Sequence, residues 1–170
     1  MTLLARFALV AGVALAGCAT PHLDLQSEGA RPTMPPNNAQ VVRRLYEELV
    51  NGRRFDSFGD VLASDFESSD GVRGPDGFAA NVRSLTESFP DIHFTVEDVF
   101  ADEDRVAVRW SWTATHGGPF RGTAPTHRRV ENTGIVIYQV RDGKLVRAWT
   151  QVDRLGVLQQ IGAVPVPGPR

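Results

Sequence analysis

Apolar and polar positions change period along this chain, and the changes mark its elements. Val41, Val42, Leu45, Tyr46 and Leu49 recur at helical spacing, with Arg43, Arg44, Glu47 and Glu48 on the other face, which predicts an amphipathic helix. Asn37 or Asn38 is placed to cap its start, and Gly52 to supply a left-handed stop. A short second helix is expected through Phe55, Phe58 and Leu62. Gly74-Pro75-Asp76 opens a third, with Phe78, Val82, Leu85 and Phe89 as its buried stripe and Pro90 just past its end.

The period then falls to two. Ile92, Phe94 and Val96 alternate with His93, Thr95 and Glu97, which predicts a half-buried strand. Asp102-Glu103-Asp104 makes a polar turn. Val106, Val108, Trp110, Trp112 and Ala114 then form one face of a long strand. Arg128 to Gln139 is strand-like, Arg141-Asp142-Gly143-Lys144 is a hairpin turn, and Leu145 to Val152 returns antiparallel. Asp153 is placed to cap a closing helix whose apolar side is Leu155, Val157, Leu158 and Ile161. Helices first, then a meander of strands, then a short helix predict an α+β fold with helices packed on one face of a sheet.

The ends of the chain follow different rules. Residues 7–16 are an uninterrupted apolar or small run, and ten residues of helix reach only about 15 Å against a hydrocarbon core of about 30 Å. Too short to span, the run fits the apolar core of a secretory signal. It ends in Leu15-Ala16-Gly17-Cys18, which resembles a bacterial lipobox, where cleavage precedes a cysteine that becomes lipid-modified. The expected organisation is a signal peptide over 1–17, a lipidated Cys18 and flexible tether over 18–36, a folded domain over 37–164 and a Pro-rich tail over 165–170. Ala19, rather than an acidic residue, follows the cysteine, which resembles the pattern of enteric lipoproteins sorted to the outer membrane and implies an anchor there, with the domain facing the periplasm.

Composition narrows the chemistry. The single cysteine excludes an internal disulfide framework and any multi-cysteine metal site. With 18 basic and 20 acidic residues among 170, nothing suggests a nucleic-acid partner, which would require clustered Lys and Arg. His93, His116 and His127 form no recognisable metal spacing.

Three stretches then carry a family resemblance. Phe89-Pro90-Asp91 leads into a strand and Asp104-Arg105-Val106-Ala107-Val108-Arg109-Trp110. Thr115-His116-Gly117-Gly118-Pro119-Phe120-Arg121-Gly122 is followed by Pro125-Thr126-His127-Arg128-Arg129-Val130. Asp142-Gly143-Lys144 is followed by Trp149, Asp153, Leu155-Gly156 and Leu158-Gln159-Gln160-Ile161-Gly162. Together, over about residues 39–163, they resemble the SnoaL-like polyketide cyclase (ester cyclase) family of the nuclear transport factor 2-like superfamily. The resemblance implies a curved antiparallel sheet wrapped around the N-terminal helices into a cone with an apolar pocket, often in a dimer. It implies an acid/base carboxylate for an intramolecular aldol closure, at the position of Asp153, with no metal or organic cofactor. It also implies a histidine shortly after the first strand's Asp65-Phe66 pair, where this chain has Ser69, and serine cannot shuttle a proton near neutral pH as imidazole can.

Each candidate has two readings at this stage. Asp153 is an acid/base group or a helix cap; His116 assists the chemistry or fixes a turn. Trp110, Trp112, Trp149, Phe66, Phe78, Phe120 and Tyr138 line a substrate pocket or are simply core. The function expected is a lipid-anchored pocket for a small hydrophobic molecule, with aldol or isomerase chemistry at Asp153. The alternatives are a non-catalytic binding module, or an envelope interaction module using the outer sheet face for a partner or a second copy.

Overall fold

The structure is a computed structural model that describes residues 37–166. The expected signal peptide, Cys18 and the tether up to residue 36 lie outside the described residues, as do the last four positions of the tail.

Helix α1 (Asn37–Arg43) continues directly into a π-helical segment, Arg44–Val50. Its buried residues come in adjacent pairs every four positions: Val41-Val42, Leu45-Tyr46 and Leu49-Val50. A repeat of four exceeds the 3.6 residues of an α-turn, so the pairs would drift round a straight α-helix. The wider π turn counters that drift, which the expectation of a plain α-helix did not include. Asn38 lies inside α1, and its amide donates to the Glu103 carbonyl (3.2 Å) rather than capping. The left-handed step after the π segment falls on Arg53 (φ 52°) and not on Gly52, whose amide still closes onto the Glu48 carbonyl (3.1 Å).

A 3₁₀ turn, Phe55–Asp60, takes the place of the expected second helix, and Leu62 instead starts strand β1 (Leu62–Ser68). Helix α2 (Gly74–Ser88) follows, and Phe89 after it is fully buried. Strands β2 (His93–Asp102), β3 (Arg105–Thr115), β4 (Arg129–Arg141) and β5 (Lys144–Val152) form the meander, and α3 (Arg154–Gln160) closes the fold. The β4–β5 hairpin turns on Asp142 and Gly143, both at positive φ (52° and 73°), as the primed turns of tight hairpins require.

The sheet order is β1-β5-β4-β3-β2, an open five-stranded sheet in an α+β fold. Its four consecutive strands are antiparallel as expected, but β1 joins the edge parallel to β5. The α1–π unit and α2 cover the concave face. There Val106, Val108, Trp110, Trp112 and Ala114 of β3 are all buried, because a strand sends alternate side chains to one side. The opposite face keeps Ile135, Ile137 and Trp149 partly in solvent.

Candidate functional site

The concave side of the sheet and the helices over it enclose a cavity of about 420 Å³. That volume falls within the range of small-molecule sites, about 300–1,000 Å³. Tyr46 and Val50 reach it from the π segment, Phe66 and Ser68 from β1, and Phe78, Val82 and Leu85 from α2. The sheet contributes Phe94, Trp110, Trp112, Val136, Tyr138 and Ala148, and the loop after β3 contributes Phe120 and Arg121. The aromatic rings brace one another. Phe94 meets Trp110 edge-on at 5.1 Å between centroids, and Phe66 meets Phe78 at 6.1 Å.

Three lining side chains carry polar tips close together. The hydroxyls of Tyr46 and Tyr138 share a buried hydrogen bond of 2.8 Å. Burial pushes the Tyr46 phenol up to about 12, against the pull of the Tyr138 hydroxyl and the Trp110 indole N–H, which both favour the phenolate. Burial also raises Tyr138 well above its usual range, reinforced first by Tyr46 beside it and last by the charge of Asp70. Both rings are therefore neutral donors at physiological pH. Trp110, only 5% exposed, makes no hydrogen bond through Nε1.

Asp70 stands on the cavity wall in the turn between β1 and α2. Its Oδ2 accepts from Arg154 at 2.7 Å, and its Oδ1 accepts from the Ser68 hydroxyl. Val72 N donates to the same Ser68 hydroxyl (3.0 Å), so the turn is tied to itself before it holds the carboxylate. Among the described residues, Asp70 is the carboxylate that lines this cavity.

Six of the seven aromatic candidates, Trp110, Trp112, Phe66, Phe78, Phe120 and Tyr138, line the cavity. Trp149 does not. It pairs with Ile137 on the outward parity of β5, between the inward Ala148 and Thr150. Two guanidinium groups lie over its ring, Arg105 at 4.8 Å and Arg147 at 5.5 Å from the centroid.

Asp153, expected as the acid/base, is an exposed helix cap outside the cavity lining. Its Oδ1 accepts from Gly156 N at 2.8 Å, satisfying one of the free amides of α3. A Cβ on Gly156 would stand 2.1 Å from the Asp153 carboxylate, which explains why glycine stands at that position. His116 is fully buried but outside the lining as well. Its Nδ1 accepts from Thr126 N (3.3 Å) and contacts the Thr126 hydroxyl (3.0 Å), and its ring packs on Phe89 at 5.5 Å. Desolvation lowers its pKa, so it is a neutral turn residue. Gly117 and Gly118 both donate to the Ser88 carbonyl (3.0 Å each), seating this loop on the end of α2. Ser69 uses its hydroxyl to accept from Thr150 N (3.0 Å), splicing the end of β1 onto β5.

Sequence reasoning missed Tyr46, Phe94, Asp70 and Arg154. Tyr46 and Phe94 stood among the predicted apolar faces, where nothing separates a lining residue from core. Asp70, one position after Ser69, carried the clearer signal: a carboxylate beside the place where the resemblance implies a proton-transfer group.

Comparison with known proteins accords with this geometry. The family model described as SnoaL-like polyketide cyclase matches residues 40–161. The chain is similar to the crystal structure of a protein named as a SnoaL-like polyketide cyclase from Jannaschia sp. CCS1, with TM-score 0.71 and 26% identity over 79% of this chain and 98% of that one. It is also similar to IdmH, named as a polyketide cyclase, from Streptomyces antibioticus, with TM-score 0.64 and 28% identity over 74% and 98%. A third is AclR, named as a hydroxylase, from Streptomyces galilaeus, with TM-score 0.67 and 27% identity over 76% and 84%. No curated protein matches the sequence.

Proposed function

The chain belongs to the SnoaL-like polyketide cyclase family, and on that premise we propose that it is an envelope-tethered receptor for a small, ring-bearing apolar molecule held in the cavity on the concave side of the sheet. One observation carries this reading: aromatic side chains from α2 and from four strands converge on a single space of about 420 Å³. A cavity that size costs stability unless filled, since its walls forgo dispersion contacts. The cyclase names of the Jannaschia and Streptomyces antibioticus relatives support polycyclic, oxygen-bearing ligands as the class. The hydroxylase name of AclR supports leaving the reaction open, since one fold hosts several chemistries. The test is a thermal-shift and equilibrium-dialysis screen of polyketide, steroid and terpenoid-like ligands. The expected result is a stabilisation for ring-bearing ketones that is lost when Ala148→Phe fills the cavity. No stabilisation by any of them would overturn the reading.

A second reading adds turnover and rests on Asp70. A carboxylate there would take a proton from the carbon beside a ligand carbonyl; the resulting enolate carbon would attack a second carbonyl, and the new alkoxide would recover the proton. Atoms balance without an added reagent. Arg154 and Ser68 orient the carboxylate for such a step.

The address belongs to the same proposal. Cys18, lipid-modified after cleavage at Gly17, would hold the domain on the periplasmic face of the outer membrane, with residues 19–36 as its reach. There it would meet finished or incoming molecules and not the cytoplasmic machinery that assembles polyketides, which favours binding over ring closure. Ile135, Ile137 and Trp149 on the outer face suit self-association as a dimer.

A further inference from the structure

The cavity has two unlike ends. Its floor is buried and apolar, with Phe66, Trp112, Val136 and Ala148 each at most 4% exposed. Apart from Pro119, the lining residues that reach solvent at the opening are polar: Asp70, Asn81, Ser84, Arg121 and Arg154. Three of these carry charge. Asp70 and Arg154 pair at 2.7 Å and neutralise each other, whereas Arg121 belongs to no ion pair among the described residues. Two guanidinium groups against one carboxylate leave the lining with one positive charge over. The Arg121 guanidinium lies over the ring of Phe120, 5.8 Å from its centroid, and that ring packs edge-on against the buried Phe89 at 5.2 Å.

The backbone under Arg121 is an unfavourable place for an arginine. Phe120 and Thr123 exchange both of their N–H···O bonds, each 2.9 Å, around the two-residue turn Arg121-Gly122, whose residues both have positive φ (47° and 83°). Such turns favour Asn, Asp or Gly at the first of these positions, and the β4–β5 hairpin has Asp142 there. A long side chain in the left-handed region sacrifices backbone energy, and strain of this kind collects at functional sites. The turn itself does not call for an arginine, and the side chain that it carries stands at the cavity's opening.

We propose that Arg121 receives the carboxylate of an amphiphilic ligand at the mouth of the cavity, while the apolar body of that ligand fills the floor. A guanidinium only donates, and its fork matches the two oxygens of a carboxylate. Asn132 also lines the cavity; its Oδ1 accepts from Thr133 N (2.9 Å), so its NH2 is a second donor. Because the opening is wet, the anion keeps part of its hydration and avoids the penalty of a buried charge. One unbalanced positive charge suits a singly charged group. A neutral amide of the same shape forgoes the charge-assisted bond, and a cation is repelled. The inference rests on the binding reading above and adds the charge of the ligand and the end that it leaves at the opening.

The experiment uses the full chain with a matched pair of probes, 4-(2-naphthyl)butanoic acid and its primary amide, which share a skeleton and differ in charge at neutral pH. Affinities come from equilibrium dialysis at low ionic strength. The wild type is expected to prefer the acid by about three- to tenfold, the range of one charge-assisted bond in a partly exposed place. Added salt reduces that preference, because a pair at the opening is screened. Arg121→Gln brings the preference toward one and leaves the affinity for the amide unchanged, and Arg121→Glu makes the amide the better ligand. Arg121→Asn gives the turn a residue that suits its backbone, so the fold is kept, and it loses the preference as Arg121→Gln does. Arg128→Gln, in the same loop but outside the cavity lining, keeps the wild-type ratio. Equal affinity of the wild type for acid and amide overturns the carboxylate site while leaving the pocket intact. So does a preference that survives in Arg121→Gln and Arg121→Asn. Binding of neither probe overturns the pocket and the carboxylate site together.

Discussion

Trp110 lies where the side chain of residue 134 would be. The two are direct partners across β3 and β4, and a Cβ on Gly134 would come within 2.3 Å of indole Cζ2. A glycine in mid-strand sacrifices β propensity and packing of its own, and here it yields that space to a neighbouring ring. Gly134→Ala is therefore expected to force the indole aside and to lower stability by about 1–3 kcal/mol, the usual cost of overpacking. Urea unfolding measures the loss, and a changed tryptophan emission spectrum reports the displaced ring. A variant as stable as the wild type would mean that the ring has room to move.

Asp153 and Asp70 separate cleanly by substitution. Asp153→Ala removes the acceptor for Gly156 N and is expected to cost about 1 kcal/mol in stability while leaving ligand affinity unchanged. Asp70→Asn, on the cavity wall, is expected to abolish any turnover while the ligand still binds. Denaturation curves and a turnover assay on the same ligand check both. Loss of turnover in the Asp153 variant alone would return the chemistry to the cap.

His116 predicts a pH dependence with a definite sign. Burial lowers its pKa below the ordinary 6.5, helped by the charge of His127 and opposed by the Gly118 carbonyl. On acidification the unfolded chain takes up this proton first, so acid favours unfolding. The contribution is complete above about pH 6.5 and declines as pH falls below that value toward the depressed folded one. Asp65, lowered by Arg141, and Asp91, lowered by Thr115, act in the same direction but only below the ordinary carboxylate value of 3.8. His116→Gln is expected to flatten the stability profile between pH 7 and 5 and to leave the steeper loss at lower pH. Equal slopes for the two proteins would refute it.

Cys18→Ser is expected to move the full-length protein from the membrane fraction to the soluble periplasmic fraction. Fractionation and the mass of the mature chain measure this directly. Unchanged membrane association would remove the anchor from the proposal.

Ile137→Lys places a charge in the middle of the outer apolar face, beside Trp149. It is expected to convert a dimer into a monomer in size-exclusion chromatography with light scattering, without altering ligand affinity. A wild-type protein that elutes as a monomer would leave that face without a role in self-association.

The architecture was legible because its signals are local. The two-residue period from Val106 to Ala114 needs no partner to declare a strand, and Asp142-Gly143 declares its own turn. The site was legible only halfway. Alternation put Trp110 and Trp112 together, but Trp149 belongs to another strand, and its face follows from the register of β5 on β4, which no local pattern encodes. Asp153 matched a motif, yet three residues later Gly156 offers an amide, and the nearer partner took the carboxylate. Asp70 reaches the cavity through contacts with Ser68 and Arg154, the latter 84 positions along the chain. Nothing in the neighbourhood of position 70 foretells that partner.

The parallel edge has a kinetic consequence. The strands from β2 onward pair with their immediate successors, while β1 must find β5 across a long stretch of chain; Ser69 and Thr150, which splice the two, stand 81 positions apart. Closing so large a loop is entropically expensive and is rewarded only after its target exists, so the hairpins are expected to form first and β1 to dock last. Phe66 and Ser68 arrive on that last strand, and Asp70 follows them directly. Amides joining β1 to β5 should therefore exchange their hydrogens earliest in the sheet, and the pocket should acquire its final wall only in the closing step of folding.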